Sequence, residues 1–460
     1  MESVLKNVLK NITPSERERE DIGRILKSVL NASESILKPQ GLEKTIAGSF
    51  IRDTWLRDKK EIDLFIMFPT TYSRDRLEKT GIDLGKKIMK RLNGKFLIAY
   101  AEHPYVKGEI GDYGIDIVPC YKVESASKIK SAVDRTPFHN RYISKKLSKE
   151  MSGEVRLLKQ FCKSIGVYGS DVKTQGFSGY LCELLIIKYK TFKETVKNAK
   201  NWEAGEFIDI EKHCRVADIK NYYRGQPLII IDPTDPNRNV AAALSPRNFV
   251  LFVKMCELFV KRPSKKFFSL KKSVVKTSYL RKSFEKRGSE LICVTFKRHP
   301  VVDDILFSQL RKTSKRITNF LEENDFSVID HDVFSDGKKS AMLFEMGVWS
   351  LPGIKKLRGP PLFSKVHSKQ FREKYKNEKL FVEEDFWVAF TERKWTSARD
   401  SLKEFLGKSA KKLMEDGIRS YVATAISSGF DLLGKERIFS FSGKNQDFAV
   451  FLKEYLERKV

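Results

Sequence analysis

The residues best suited to chemistry in this chain are three acids and a glycine-serine pair. Gly48-Ser49 is followed by Arg52 and then by Glu61-Ile62-Asp63, and a third acid, Asp116, lies in the run Gly114-Ile115-Asp116-Ile117-Val118. Together they form a candidate phosphate cradle and three carboxylates. Acids at i and i+2 of a strand share a face about 6.6 Å apart, while a catalytic metal pair sits roughly 3.5–4 Å apart, a gap that carboxylate oxygens can close. Ionised carboxylates within apolar segments repel one another and lose hydration, so they need a cation, a basic partner or an open cleft. Magnesium, a hard divalent cation that takes oxygen ligands from carboxylates and substrate phosphates, meets that need. Two structural readings compete with it: Glu61 and Asp63 on the wet face of an edge strand, and Asp116 in a salt bridge with an Arg or Lys.

The elements that must position these residues can be read from pattern. Ile62 to Phe68 has the β-branched and aromatic content of a strand, ended by Pro69-Thr70-Thr71. Upstream, Thr13-Pro14-Ser15-Glu16 predicts a helix start with Thr13 as the cap, followed by a stripe of Ile22, Ile25, Leu26, Val29 and Leu30. Pro39-Gln40-Gly41 then leads into a strand before Gly48, and the turn at Ser49 is expected to open a helix whose N–H groups face an anion. Val155, Leu158, Phe161, Cys162 and Ile165 fall at helical spacing with Gly166 as a stop, and helices are expected at Ser178 to Tyr189 and Pro246 to Val260. Arg262-Pro263-Ser264-Lys265-Lys266, running on to Lys276, reads as a solvated basic connector. Beyond it come a strand at 291–296, a helix at 303–321 and strands near 326–334 and 341–348, an order resembling a ferredoxin-like sheet with a helix on one face. One further strand is expected within 381–390, and basic helices at 397–416 and 447–458. The fold class is therefore α+β and multidomain, divided as 1–145, 146–262, 263–390 and 391–460.

Composition narrows the partners. The 460 residues carry 87 Lys+Arg against 59 Asp+Glu, a net charge of +28, so the surrounding field concentrates polyanions and a nucleic acid is the expected partner. The body lacks the aromatic signature of an RNA-recognition motif, so base stacking on that sheet is not expected. No run approaches the roughly 20 apolar residues that span a bilayer, and residues 1–21 contain no signal-peptide core, so the expectation is a soluble cytoplasmic chain without membrane contact. The six cysteines show neither C-x-x-C nor paired histidine spacing, which argues against zinc and disulfide frameworks.

The stretch Gly48-Ser49-Phe50-Ile51-Arg52-Asp53-Thr54-Trp55-Leu56 with Glu61-Ile62-Asp63-Leu64-Phe65 resembles the nucleotidyltransferase signature of archaeal, class I CCA-adding enzymes. Further similar stretches are Ala101 to Tyr105, Asp116 to Tyr121, Ser131 to His139, Glu154 to Lys159, Gly176 to Leu185, and Asp232-Pro233 with Arg238 to Ala242. The resemblance is dense from Gly48 to Ser245; beyond it only Val302-Asp303-Asp304 and its helix are similar, and Phe50-Ile51 stands where Tyr-Ala is expected.

The resemblance implies a nucleotidyltransferase head, a helical neck, a ferredoxin-like body and a mixed helical tail. It implies template-independent addition and repair of the 3'-terminal CCA of tRNA from CTP and ATP, with two Mg2+ ions. Glu61 and Asp63 would hold the ion on the triphosphate, and Asp116 with Asp63 the one at the RNA hydroxyl. Ser49, Arg52, Lys159 and Tyr168 would contact the triphosphate, His139 the nucleotide, and Arg238, together with backbone phosphates of the bound RNA, would select the base. Contact with the acceptor stem and T arm of tRNA, and a homodimer through the tail, are implied in the same way. The alternatives are a poly(A) polymerase or oligoadenylate synthase built on the same head, and an inactive basic RNA-binding homologue.

Overall fold

The computed structural model describes residues 1–100, 103–214, 222–269 and 274–457. The chain divides into two compact units, Met1–Lys272 and Ser273–Lys459. In the first, α1 (Glu2–Ile12) precedes α2 (Glu16–Leu37), β1 (Glu43–Ala47), β2 (Glu61–Phe68), α3 (Arg74–Arg91), β3 (Lys95–Tyr100), β4 (Pro104–Ile110), β5 (Tyr113–Tyr121) and α4 (Thr136–Lys146). There follow α5 (Met151–Ser164), α6 (Gly179–Tyr189), α7 (Phe192–Ala199), β6 (Glu206–Ile208), β7 (Leu228–Asp232), β8 (Asp235–Asn239) and α8 (Pro246–Lys261).

The five-stranded sheet runs β1-β2-β5-β4-β3, with β2 and β5 parallel and the remaining pairs antiparallel. Side chains alternate across a strand. Leu64, Ile66 and Phe68 of β2 therefore join Ile115 and Ile117 of β5 under α2 and α3, in a core with Val29, Leu77 and Ile88. Glu61, Asp63 and Phe65 take the opposite face, where Phe65 meets Ala47 and Cys120. Because β2 lies between β1 and β5, the edge-strand reading of its acids does not hold.

Two local expectations are corrected here. Ser15, not Thr13, caps α2: its side chain accepts from Glu18 N–H and Glu18 reaches back to the Ser15 N–H. Both Thr13/Glu16 and Ser15/Glu18 have the capping-box spacing, but Thr13 is taken by the end of α1, giving its N–H to Leu9 O. The basic connector also begins packed rather than solvated. Phe268 is buried beside Phe161, Phe192 and Phe259, and Gln160 Nε2 donates to the Phe268 carbonyl at 2.6 Å, so aromatic burial outweighs the flanking lysines.

The second unit contains α9 (Thr277–Glu285), β9 (Glu290–Lys297), α10 (Asp303–Glu323), β10 (Ser327–Ser335), β11 (Lys339–Val348), β12 (Ile354–Pro361), α11 (Lys365–Lys374), β13 (Lys379–Glu383) and β14 (Phe386–Glu392). It ends with α12 (Ala398–Leu406), α13 (Ala410–Glu415), α14 (Ser420–Ser427), β15 (Phe430–Gly434), α15 (Lys435–Lys444) and α16 (Gln446–Leu456). An antiparallel sheet in the order β10-β11-β9-β15, with α10 after the first strand and α14 before the last, is the ferredoxin-like arrangement. Its second face is covered too: Leu291, Cys293, Leu343 and Leu433 pack with Phe284, Ile438 and Phe448.

The expected single strand within 381–390 is a hairpin, β13 and β14, turned at Glu384 with φ 51 and joined by β12 in a three-stranded sheet. The expected helix at 397–416 is two helices broken at Gly407. No helix among the described residues is long and apolar enough to cross a membrane.

Candidate active site

Parallel pairing of β2 with β5 sets Asp63 directly opposite Asp116. Neither carboxylate hydrogen-bonds or ion-pairs with any described residue. Burial, then Asp116 and Glu61, push the Asp63 carboxyl up to about 7, and burial likewise raises Asp116. Such a pair holds a proton in common or accepts a cation. Tyr105 faces the same charges, and burial with Asp116, Glu61 and Asp63 pushes its hydroxyl up to about 12. Glu61 is on the same face but ion-pairs with Lys59 at 3.1 Å. Among the described residues no three His, Cys, Asp or Glu side chains converge on a metal position. The donor set therefore fits a hard divalent cation through Asp63 and Asp116, with Glu61 reaching it only on leaving Lys59.

Gly48 closes this site from β1. Its φ is +88, and a Cβ there would lie 2.0 Å from Asp63 Oδ2, so backbone and carboxylate approach to a distance only glycine permits. Ser49 does not open a helix, contrary to expectation. Residues 49–53 form consecutive turns in which Thr54 N–H bonds Ser49 O and Asp53 N–H bonds Phe50 O. Arg19 and Arg156 both hold Asp53, whose φ is 53, which keeps the segment curled rather than helical.

The remaining predicted residues gather on two buried carboxylates. Glu183, on α6, is fully buried; Arg52 Nε lies 3.0 Å from it and Lys159 Nζ 3.2 Å. Thr54 Oγ1 donates to it at 2.5 Å, and Arg52 also donates to Asn140 Oδ1 at 2.9 Å. Lys159, 2% exposed, gives its remaining donors to Thr54 O and Thr54 Oγ1, so its ammonium is satisfied within the protein. Burial lowers the Lys159 pKa against the opposing charge of Glu183. Burial raises Glu183, but Lys159 and Arg52 outweigh it. Tyr168 is half-buried, its hydroxyl 3.3 Å from the space a Gly179 side chain would fill.

The second carboxylate is Asp232, also fully buried. It accepts from His139 Nε2 at 2.8 Å, Arg238 at 2.7 Å, Tyr180 at 3.1 Å, and Thr234 N–H and Oγ1 at 2.9 Å each. His139 stacks on Tyr180 with centroids 4.0 Å apart. Arg238 is on strand β8, which pairs with β7.

Three family profiles match the chain: a nucleotidyltransferase domain over residues 26–139, a tRNA nucleotidyltransferase second domain over 153–269, and a CCA-adding enzyme C-terminal domain over 287–434. The chain is 39% identical to a CCA-adding enzyme of Methanocaldococcus jannaschii, covering 88% of this chain and 91% of the relative. Identity to the CCA-adding enzyme of Methanosarcina barkeri is 38%, over 98% and 97%. For that of Archaeoglobus fulgidus it is 35%, over 95% and 96%. The chain belongs to the CCA-adding enzyme family. It is thus a nucleotidyltransferase, of mixed α+β architecture.

In this CCA-adding enzyme, pattern reading left Glu183 and Asp232 without roles, although both carry a signal. Glu183 is the single charge within Leu181-Cys182-Glu183-Leu184-Leu185-Ile186-Ile187, and Asp232 ends the apolar run Leu228-Ile229-Ile230-Ile231. A carboxylate in such a run must find partners when buried. Which partners it finds is a property of the packed chain.

Proposed function

We propose that this CCA-adding enzyme builds and repairs the 3'-terminal CCA of tRNA, without a template, from CTP and ATP. The observation that carries the reading is the paired Asp63 and Asp116 carboxylates, desolvated and without a hydrogen bond or ion pair to any described residue, against the glycine turn at Gly48. With two Mg2+ ions held by Asp63, Asp116 and a released Glu61, the site gains charge neutralisation for the leaving group and a lowered pKa for the attacking hydroxyl. The RNA 3'-hydroxyl oxygen bonds to the α-phosphorus, the bond from that phosphorus to its bridging oxygen breaks, the hydroxyl proton passes to solvent and pyrophosphate leaves.

The chain's own groups do the positioning. Ser49 and the turn after Gly48 cradle the triphosphate. Arg52 and Lys159 place two cations around the single carboxylate of Glu183, which leaves net positive charge for a polyanion. Tyr168 borders that pocket, His139 contacts the nucleotide, and Arg238 reads the base. The basic second unit grips the acceptor stem and T arm of tRNA by shape and phosphate contact, and a homodimer forms through the tail. We place the head at 1–145, the neck at 146–262, the body at 263–390 and the tail at 391–460, in a cytoplasmic protein.

The test supplies tRNA lacking its CCA end, magnesium, and each nucleoside triphosphate alone and together. Ordered C, C, A addition is expected, lost in Asp116→Ala with tRNA binding retained. Extension from ATP alone, with no use of CTP, would instead identify a poly(A) or oligoadenylate synthase. Binding without any transfer would identify an inactive RNA-binding homologue.

A further inference from the structure

Asp232 joins three elements: His139 from α4, Tyr180 from α6 and Arg238 from β8. Its two oxygens divide the work. Oδ1 accepts from Tyr180 and twice from Thr234, which anchors the carboxylate to its own hairpin. Oδ2 accepts from both His139 and Arg238. A carboxylate accepts at Oδ2, so His139 must carry its proton on Nε2. Arg238 gives Asp232 only one terminal N–H, and its other guanidinium donors make no hydrogen bond with a described residue while its side chain is 34% exposed.

Those free donors match a feature that cytosine and adenine share. Each presents a ring-nitrogen acceptor beside an exocyclic amino group on its pairing edge, whereas uracil and guanine present a ring N–H there. A guanidinium has donors and no acceptor, so it can donate to that ring nitrogen of cytosine or adenine, whereas the same N–H aimed at that position meets the ring N–H of uracil or guanine donor to donor. Such discrimination requires the guanidinium to point in one direction, and a surface arginine has many rotamers. A fully buried carboxylate with five donors has few.

We propose that Asp232 is the positioning residue for nucleotide selectivity: by holding Arg238 and His139 on one oxygen, it aims the remaining Arg238 donors at the base edge and so excludes UTP and GTP. The proposal rests on the CCA-adding reading above and adds to it the group that sets the arginine's direction.

The experiment measures kcat and KM for single incorporation of CTP, ATP, UTP and GTP on tRNA lacking its CCA end. The enzymes are wild type, Asp232→Asn, Asp232→Glu, Arg238→Ala, and the Asp232→Asn/Arg238→Ala double variant. Asp232→Asn should lower the CTP-to-UTP ratio of kcat/KM by about 10-fold or more, chiefly through KM, because one correct donor–acceptor pairing is lost. In the Arg238→Ala background the same change should leave the ratio as it is, because Asp232 acts through that arginine.

A merely structural Asp232 would reduce use of all four nucleotides in proportion, and an unchanged ratio in Asp232→Asn overturns the proposal. Should Asp232→Asn not fold, Asp232→Glu decides. It keeps the charge but shifts it by one methylene, so a lowered ratio supports the proposal and a wild-type ratio overturns it. Wild-type enzyme that fails to add C, C and A in order would refute the underlying reading instead, a separate result from the same assay.

Discussion

Gly48→Ala tests the closeness of β1 to the acid pair. The new methyl would start 2.0 Å from Asp63 Oδ2 and 3.1 Å from Asp63 Cγ, where ordinary contact begins at 3.4 Å. The carboxylate must therefore withdraw by roughly 1.4 Å or the end of β1 must move, and a misplacement of about 1 Å costs on the order of 10²-fold in rate. The backbone at φ +88 adds strain of about 1–2 kcal/mol for a residue with a Cβ. That is small against a typical domain stability of about 5–15 kcal/mol, so the variant should remain folded. Single-turnover C addition to tRNA lacking its CCA end should fall at least ~100-fold, with only a modest loss in thermal denaturation of the same preparation. Activity within about threefold of wild type would show that Asp63 is not held where transfer occurs.

Replacing Glu183 with Gln should destabilise the first unit by about 3–5 kcal/mol in urea unfolding, because Lys159 would be left buried without its counter-charge; a loss under about 1 kcal/mol would mean that Lys159 is satisfied by Thr54 alone. Asp63 has its pKa raised from 3.8 to about 7, so the metal-free fold carries the cost of ionising it above about pH 7, and that cost disappears below its unfolded value. Asp63→Asn in chelator should accordingly be more stable than wild type at about pH 8 and equal to it at about pH 4; a gap independent of pH would contradict the shift. By the same linkage, magnesium binding must displace a proton, so half-saturation in wild type should need more magnesium as the pH drops below about 7. With a net charge of +28, tRNA affinity should fall at least ~100-fold between about 50 and 200 mM salt, and a flat response would remove phosphate contact as the source of binding.

The local features were legible because short-range physics determines them. Strand content and a proline stop predict β2, the Gly166 stop and apolar spacing predict α5, and the Ser-capped α6 and α8 fall within a residue of the expected bounds. The cap of α2 differs from expectation because two boxes of equal merit overlap, and the start of the connector differs because Phe267 and Phe268 pack among its lysines. The turn after Gly48 does not become a helix because Arg19 and Arg156, from distant segments, hold Asp53. The strand β15 joins β9 across a long stretch of chain that holds β10 to β14 and the five helices α10 to α14, and no local pattern specifies that pairing.

By itself the sequence determined the nature of the site: which acids lie in apolar strands, on which face, within a chain charged to attract RNA. Those properties depend on residue type and a period of two. Only the tertiary structure decided which charges neutralise which. It turned Glu61 to Lys59, gave Arg52 and Lys159 to Glu183, and gathered His139 and Arg238 on Asp232. Electrostatic pairing depends on distances of a few ångströms between residues as far apart in the chain as Arg52 and Glu183, and those distances exist only once the elements have packed.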